Sequence, residues 1–263
     1  MKRFSTQKTK SRKILEKVGV AVFWLFVWFI AAWIVDLEIL LPSPITTAAK
    51  WFSLMGTAAY WTSIGTSLLH ILSGYLIGCF AGILLGYLMY RLSVIDALFS
   101  PVLSMIRSVP VASFIILALV WIGRQQIPPF IAFLMVFPVV STSVKTGLGS
   151  VDQELAEVAC VYHFTRMQTI RLLYKPAVLP HLITSARVTL GLAWKASVAA
   201  EILCSLSHSI GGNIYTSKLV LETDTLFAWT ITVIMISILF ESLLSRALDA
   251  LNPTARRKVS HVR

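Results

Sequence analysis

The sequence predicts an all-α fold, a polytopic membrane helix bundle of about six transmembrane helices with one polar helical segment between spans four and five. Three observations predict it. The 263 residues are 57% hydrophobic and only 13% charged, with a mean hydropathy of +0.79, whereas soluble domains carry about 25% charged residues. The apolar residues gather into runs that approach the ~20 residues needed to cross a bilayer. The net charge of +11 is concentrated at the ends of those runs, where basic residues orient spans, so membrane topology explains it better than nucleic acid does.

Segment 1–17 carries seven Lys and Arg and reads as a basic cytoplasmic N-terminus. The run 18–35 that follows holds no charge. A signal peptide has a shorter apolar region, about 7–15 residues, closed by a small-residue cleavage site. Here the run leads into Asp36 and Glu38, so it reads as an uncleaved first span, 18–40. Pro42 and Pro44 end it, and 45–60 reads as a short helix on the outer surface, with Trp51 and Trp61 at interface depth. The second span, 64–90, holds Gly74, Gly78, Gly82 and Gly86. Small residues every fourth position share one helix face and admit a close neighbour. Packing inside the bundle is preferred there over a contact between subunits. The remaining spans read 108–123, 128–144, 188–202 and 225–244. The third is short and the fifth contains Lys195. The transmembrane domain is thus 18–249, with a tail over 250–263.

Six spans put both termini on one side, and the basic residues choose which. One side has segment 1–17, Arg91, Arg107, Lys145, Arg166, Arg171, Lys175, Arg187 and the basic tail; the other has Lys50, Arg124 and Lys218. Basic loops stay in the cytoplasm, so both termini are expected there. Cys79, Cys160 and Cys204 are odd in number and match no zinc or disulfide spacing; they read as small core residues. His70, His163, His181, His208 and His261 are scattered, so neither a metal site nor a catalytic cluster is expected. His70 reads as a hydrogen-bonded histidine and the Gly211-Gly212 pair as an outer turn.

Segment 150–182 is too polar to span and too patterned for a loop. Asp152 reads as an N-cap, with Glu154 and Glu157 early in the helix, where acidic groups suit the positive end. Ala156, Ala159 and Cys160 give a small face. A second amphipathic piece carries Met167, Ile170, Leu172 and Leu173; Pro176 is expected to end it, with Pro180 just before span five. Two readings fit: a docking device for a soluble partner, or an ordinary interfacial helix pair.

The run from Glu157 through Ala159, His163 and Arg166 to Pro176 and Leu179-Pro180 resembles the cytoplasmic loop of ABC importer permeases, the binding-protein-dependent inner-membrane components. That loop has Glu-Ala-Ala, a glycine six residues after the Glu, and Leu-Pro pairs beyond. Val158 replaces the middle Ala, Lys175 replaces a Leu, and His163 stands at the glycine. The stretches Arg107-Ser-Val-Pro110, Leu119 to Gly123 and Gly191-Leu-Ala-Trp194, the last leading on to Glu201, resemble the nitrate/sulfonate/taurine branch. The likeness covers roughly residues 66–249.

The resemblance implies a permease subunit of the bacterial inner membrane, with no catalytic residues and no cofactor of its own. Two ATP-binding subunits would bind ATP and Mg, and an extracytoplasmic binding protein would deliver the solute. The second permease subunit is expected to be a copy of this chain, all within the lipid bilayer and without nucleic acid. Glu154, Glu157, Ala159, His163, Arg166, Pro176 and Pro180 are the expected coupling residues. A phosphate-binding Gly-x-x-x-x-Gly-Lys-Ser/Thr motif is missing from the sequence. Arg107, Pro110, Trp194, Lys195 and Glu201 are the candidate pathway residues. Arg187, Gly191 and Lys195 fall on one face, and ionisable groups at depth face a cavity or a partner charge. Such a face suits an anion such as a sulfonate or carboxylate, and the resemblance implies a small anionic or heterocyclic solute of sulfonate, nitrate, taurine or vitamin-precursor type; the competing reading is an ion pair of Lys195, for example with Glu201 of another subunit or helix. A secondary transporter, the alternative function, calls for an internal repeat with broken helices, and no repeat is seen.

Overall fold

The computed structural model describes residues 10–251. Among these every regular element is helical. Helix α1, Lys10–Val35, lies against the outside of the bundle, with 6% of its most apolar stretch buried. Trp28 stacks on Phe227 at 5.7 Å and secures it. Ser43 caps α2, Pro44–Met55, by accepting from the Thr46 N–H at 3.1 Å, and Pro44 sits at N1, where a missing N–H is harmless. Thr57 caps the 34-residue α3, Ala58–Arg91. The short outer helix expected over 45–60 is therefore α2. Its Trp51 donates to Tyr60 Oη and Thr232 Oγ1 at 3.2 and 3.0 Å.

The expected third span, 108–123, is not one helix. Helix α4, Ser93–Ser108, and helix α5, Val111–Ala118, meet at 101°. The cause is local. Proline pushes the residue before it out of the helical region, and Val109 and Pro110 both take extended ψ angles, 133° each. After a 3₁₀ turn, Arg124–Gln126, helix α6 runs Ile127–Gly149. Helix α7 follows as Gln153–Val161 and helix α8 as Arg166–Thr169. A π-helical stretch, Ile170–Tyr174, leads into helix α9, Lys175–Leu203. Helices α10, Ile210–Leu219, and α11, Thr223–Leu251, complete the order.

Pro176 thus starts α9 instead of ending the preceding piece. The π stretch just upstream absorbs the register change that a proline imposes, as such bulges do. Pro180 lies inside α9, not ahead of it. Gly211 and Gly212 are likewise in the first turn of α10 and buried, not in an open turn. Cys79 and Cys204 belong to the core, but Cys160 is exposed.

Helix α6 is the centre: 56% of its most apolar stretch is buried, and it packs against both α3 and α9. The glycine stripe of α3 makes the first contact. A Cβ on Gly78 would stand 2.9 Å from Val136 Cβ, and one on Gly82 2.9 Å from Val140 Cβ. One on Gly74 or Gly86 would collide with the Pro129 or Ser141 carbonyl. The stripe is packing inside the bundle, as preferred from the sequence. Its register also gives a direction. Gly74, Gly78, Gly82 and Gly86 meet Ala132, Val136, Val140 and Val144 in step, so α3 and α6 run parallel. The chain between them must return along their length, and α4–α5 does so. Helix α9 runs antiparallel to α6, with Val178 beside Gly147 at one end and Ser197 Oγ donating to the Pro128 carbonyl at the other.

Four helices are long and apolar enough to cross a membrane, or up to five if α4–α5 counts as one broken span. Helix α9 is 29 residues long but is not among them; Arg187, Lys195 and Glu201 interrupt its apolar sequence.

Candidate functional site

Two regions collect the residues singled out above, one at each end of the α6–α9 pair. The first is segment 150–182. Asp152 caps α7 by accepting from the Glu154 N–H at 2.9 Å. Glu154 and Glu157 are exposed, and so are Leu155, Val158 and Val161. Ala159 is the buried residue of the helix. At 100° per residue, Glu154, Glu157 and Val161 lie opposite Ala159. The expected small face of Ala156, Ala159 and Cys160 is therefore divided. Ala159 is turned inward, and an acidic-apolar face is turned out.

His163 closes this helix with φ of 51°, in the left-handed region. Its N–H donates to the Cys160 carbonyl at 3.1 Å, and the Phe164 N–H donates to the Ala159 carbonyl at 2.9 Å. This bond pair is a Schellman C-cap, whose C′ residue is usually glycine. The histidine thus sits in a conformation that glycine adopts more easily. Arg166, exposed, opens α8. Thr165 and Gln168 form a capping box, each side chain bonded to the other's backbone N–H, at 3.3 and 2.8 Å. The Thr-x-x-Gln spacing is a readable signal for that helix start, and sequence reasoning passed over it.

The second region surrounds Glu201, which is fully buried near the end of α9. Its Oε2 accepts from Ser67 Oγ at 2.7 Å and from the Gly211 N–H at 3.0 Å. His70 Nδ1 hydrogen-bonds Oε1 at 3.2 Å. Ser67 Oγ also accepts from the Ile210 N–H at 2.9 Å, and Ser209 Oγ from the Gly212 N–H at 3.0 Å. The first three N–H groups of α10 are all satisfied this way, and a carboxylate at that positive helix end is stabilised further. Glycine is needed at 211 because a Cβ there would meet Glu201 itself and the Val198 carbonyl. Glu201 thus ties α3, α9 and α10 together; among the described residues of this chain, Lys195 is not its partner. His70 is a hydrogen-bonded histidine, as expected.

The other candidates are dispersed. Lys195 is exposed on α9, and among the described residues no ion pair involves it. Gly191, one turn earlier, faces Glu241 of α11, whose Oε1 would lie 3.0 Å from a Cβ at 191. The sequence reading missed Glu241, although a carboxylate inside an apolar run is itself a signal. The face is therefore mixed in charge, not purely basic. Trp194 is 1% exposed in the core with Ile71, Val198 and Trp229, and its Nε1 has no hydrogen-bond partner. Arg107 donates through Nε to the Leu103 carbonyl of its own last turn at 3.2 Å. Pro110 marks the α4–α5 break. No group of His, Cys, Asp and Glu among the described residues could hold a metal ion.

Against known proteins, the family model "Binding-protein-dependent transport system inner membrane component" matches residues 74–257. The chain is 25% identical over 238 residues to the taurine transport system permease protein TauC of Escherichia coli (strain K12), covering 88% of this chain and 86% of that one. It is 29% identical over 204 residues to the putative aliphatic sulfonates transport permease protein SsuC of Bacillus subtilis (strain 168), covering 77% and 73%. It is 28% identical over 145 residues to the nitrate import permease protein NrtB of Leptolyngbya laminosa, covering 55% and 52%. Its fold is similar to a chain of an amino acid ABC transporter crystallised with histidines, with TM-score 0.59, 15% identity and coverage of 73% and 92%. A chain of a bacterial alginate ABC transporter also matches at TM-score 0.59, with 12% identity and coverage of 97% and 98%.

Proposed function

Because the chain belongs to the family of binding-protein-dependent transport inner membrane components, we propose that α7 is the element through which it takes up the work of ATP hydrolysis. The chain is a multi-pass inner-membrane permease of an ABC importer of the taurine, sulfonate and nitrate branch. It is not catalytic; ATP is bound by a separate ATPase, and an external binding protein supplies the solute. The observation that carries the coupling role is the exposure of α7: Glu154, Glu157 and Val161 point away from its one buried residue, Ala159. Around them, His163, Arg166, Pro176 and Pro180 set the path of the chain between α7 and α9. ATP can drive transport only if the ATPase binds one arrangement of this segment more tightly than another.

The parallel α3–α6 register and the antiparallel α6–α9 packing support six crossings, made by α1, α3, α4–α5, α6, α9 and α11. An even number of crossings puts both termini on the α7 side, and the basic residues on that side make it the cytoplasm. Two copies of this chain pair above two ATPases. Co-purification from cells carrying the neighbouring transport genes tests this: two permease and two ATPase chains are expected in native mass spectra, and a permease that never retains an ATPase contradicts it.

The solute is a small anion or heterocycle of sulfonate, nitrate, taurine or vitamin-precursor type, and Lys195 faces its pathway. The supporting observation is an exposed lysine without an ion pair among the described residues, on a helix packed into the bundle centre. Arg107, Pro110, Trp194 and Glu201 act by holding the walls of that pathway, through the bonds and packing described above. Lys195→Met should lower solute-stimulated ATP hydrolysis at least tenfold in the reconstituted complex; unchanged stimulation and uptake would exclude the role.

A further inference from the structure

At the α7 end of the bundle, a cavity of about 620 Å³ lies between the last turns of α3 and segment 164–174. We propose that it binds an oxyanion, a phosphate, sulfate or sulfonate group, either free or carried on a lipid headgroup. The chemistry of the lining points to it. Arg91 of α3 and Arg166 of α8 both line the cavity, together with the hydroxyl-bearing Tyr87, Tyr90, Tyr174 and Thr169. Among the described residues, no acidic one lines it.

Neither arginine forms an ion pair among the described residues. Asp96 lines an adjoining cavity with Arg91, but its carboxylate is bound by Lys145 and Ser100. Two guanidinium forks that pair with no carboxylate among the described residues form a site for a planar or tetrahedral anion, because each can give two parallel N–H bonds to its oxygens. The volume falls in the range of small-ligand sites, roughly 300–1,000 Å³, so an organic group can enter behind the anion, against the phenol rings. Both arginines are exposed, so an anion from solution can reach them, and they share the concavity with three tyrosines.

The position gives binding a consequence. Helix α3 is fixed to α6 by the glycine stripe, while Arg166, Thr169 and Tyr174 lie on the chain leading out of α7. An anion bridging Arg91 and Arg166 would tie the two together. That consequence rests on the coupling role of α7, but the binding itself does not.

The test uses the full chain alone in lipid nanodiscs, so a failed ATPase assignment cannot affect it. Thermal unfolding is followed with inorganic phosphate against chloride at matched ionic strength. Wild type in neutral lipid should show a saturable stabilisation. Its midpoint should move to about tenfold higher phosphate in R91Q and in R166Q, as expected for loss of one charge-assisted bond pair. If the source is lipid, phosphate has no effect, but native mass spectra retain phosphatidylglycerol on wild type and lose it in both variants. Should either glutamine variant fail to fold, R91K and R166K keep the charge and lose the fork, and must still weaken binding. No phosphate response and equal lipid retention across wild type and variants would overturn the site.

Discussion

The ends of α7, α9 and α10 are each followed by a residue in the left-handed conformation that glycine favours: His163, Ser205 and Leu221, with φ of 51°, 50° and 60°. At each, the following residue donates back to the carbonyl five positions earlier, as Phe164 to Ala159, Leu206 to Glu201 and Glu222 to Ser217. An L-residue there costs roughly 1–2 kcal/mol. His163→Gly should therefore stabilise the end of α7 by about 1 kcal/mol, seen as a higher unfolding temperature; a lower one would mean that the imidazole makes a contact of its own. Glu201 is the opposite case, a charge whose removal strands its donors. Glu201→Ala leaves Ser67, His70 and the Gly211 N–H without their acceptor and should cost about 3 kcal/mol. Glu201→Gln keeps one oxygen acceptor and should cost clearly less. Equal losses in the two variants, measured by thermal unfolding, would argue against the bonding network as the source. A glutamate on an apolar helix was visible in the sequence. Its partners were not, because Ser67, His70 and Gly211 come from two other helices.

At the scale of elements, the α3–α6 contact is the most sequence-legible feature and the α4–α5 break the least. Four glycines at a spacing of four define a face without any structure, and that face meets α6. Gly78→Val should force the helices apart at Val136 and cost about 1–3 kcal/mol, read as lower yield and earlier unfolding. The same change at Gly65, which has open space around it, should be tolerated. Hydropathy alone drew one span through Val109-Pro110, where the backbone rule for the residue before proline should have broken it. Helix α9 was underestimated at its start for the converse reason. Pro176 and Pro180 look like terminators, yet the π stretch Ile170–Tyr174 carries the helix into them. Such a bulge has no simple sequence signature. The end of α7 was half legible: the match to a family loop located the turn at His163, while its left-handed geometry needed coordinates.

For the whole molecule, the apolar composition announces a membrane protein, and the exposed Phe80, Trp121 and Trp33, 74–75% accessible, supply the lipid- or partner-facing surface. Topology is open to direct labelling. The exposed Cys160 on α7 should react with a membrane-impermeant maleimide only after the cytoplasmic side is opened, whereas Lys218→Cys in α10, in a background without Cys160, should react from outside in intact cells. The reverse pattern would invert the assignment. The proposed partner surface is marked in the sequence itself, because coupling to a soluble ATPase calls for a polar helix where the rest of the chain is apolar. The most direct measurement is made on the complex with its ATPase and binding protein, comparing wild type with Glu157→Lys, a charge reversal on the exposed face of α7 that leaves the permease fold untouched. ATPase retention and ATP-driven uptake should both fall at least tenfold while the permease still unfolds at the wild-type temperature; full retention and wild-type uptake would contradict the account.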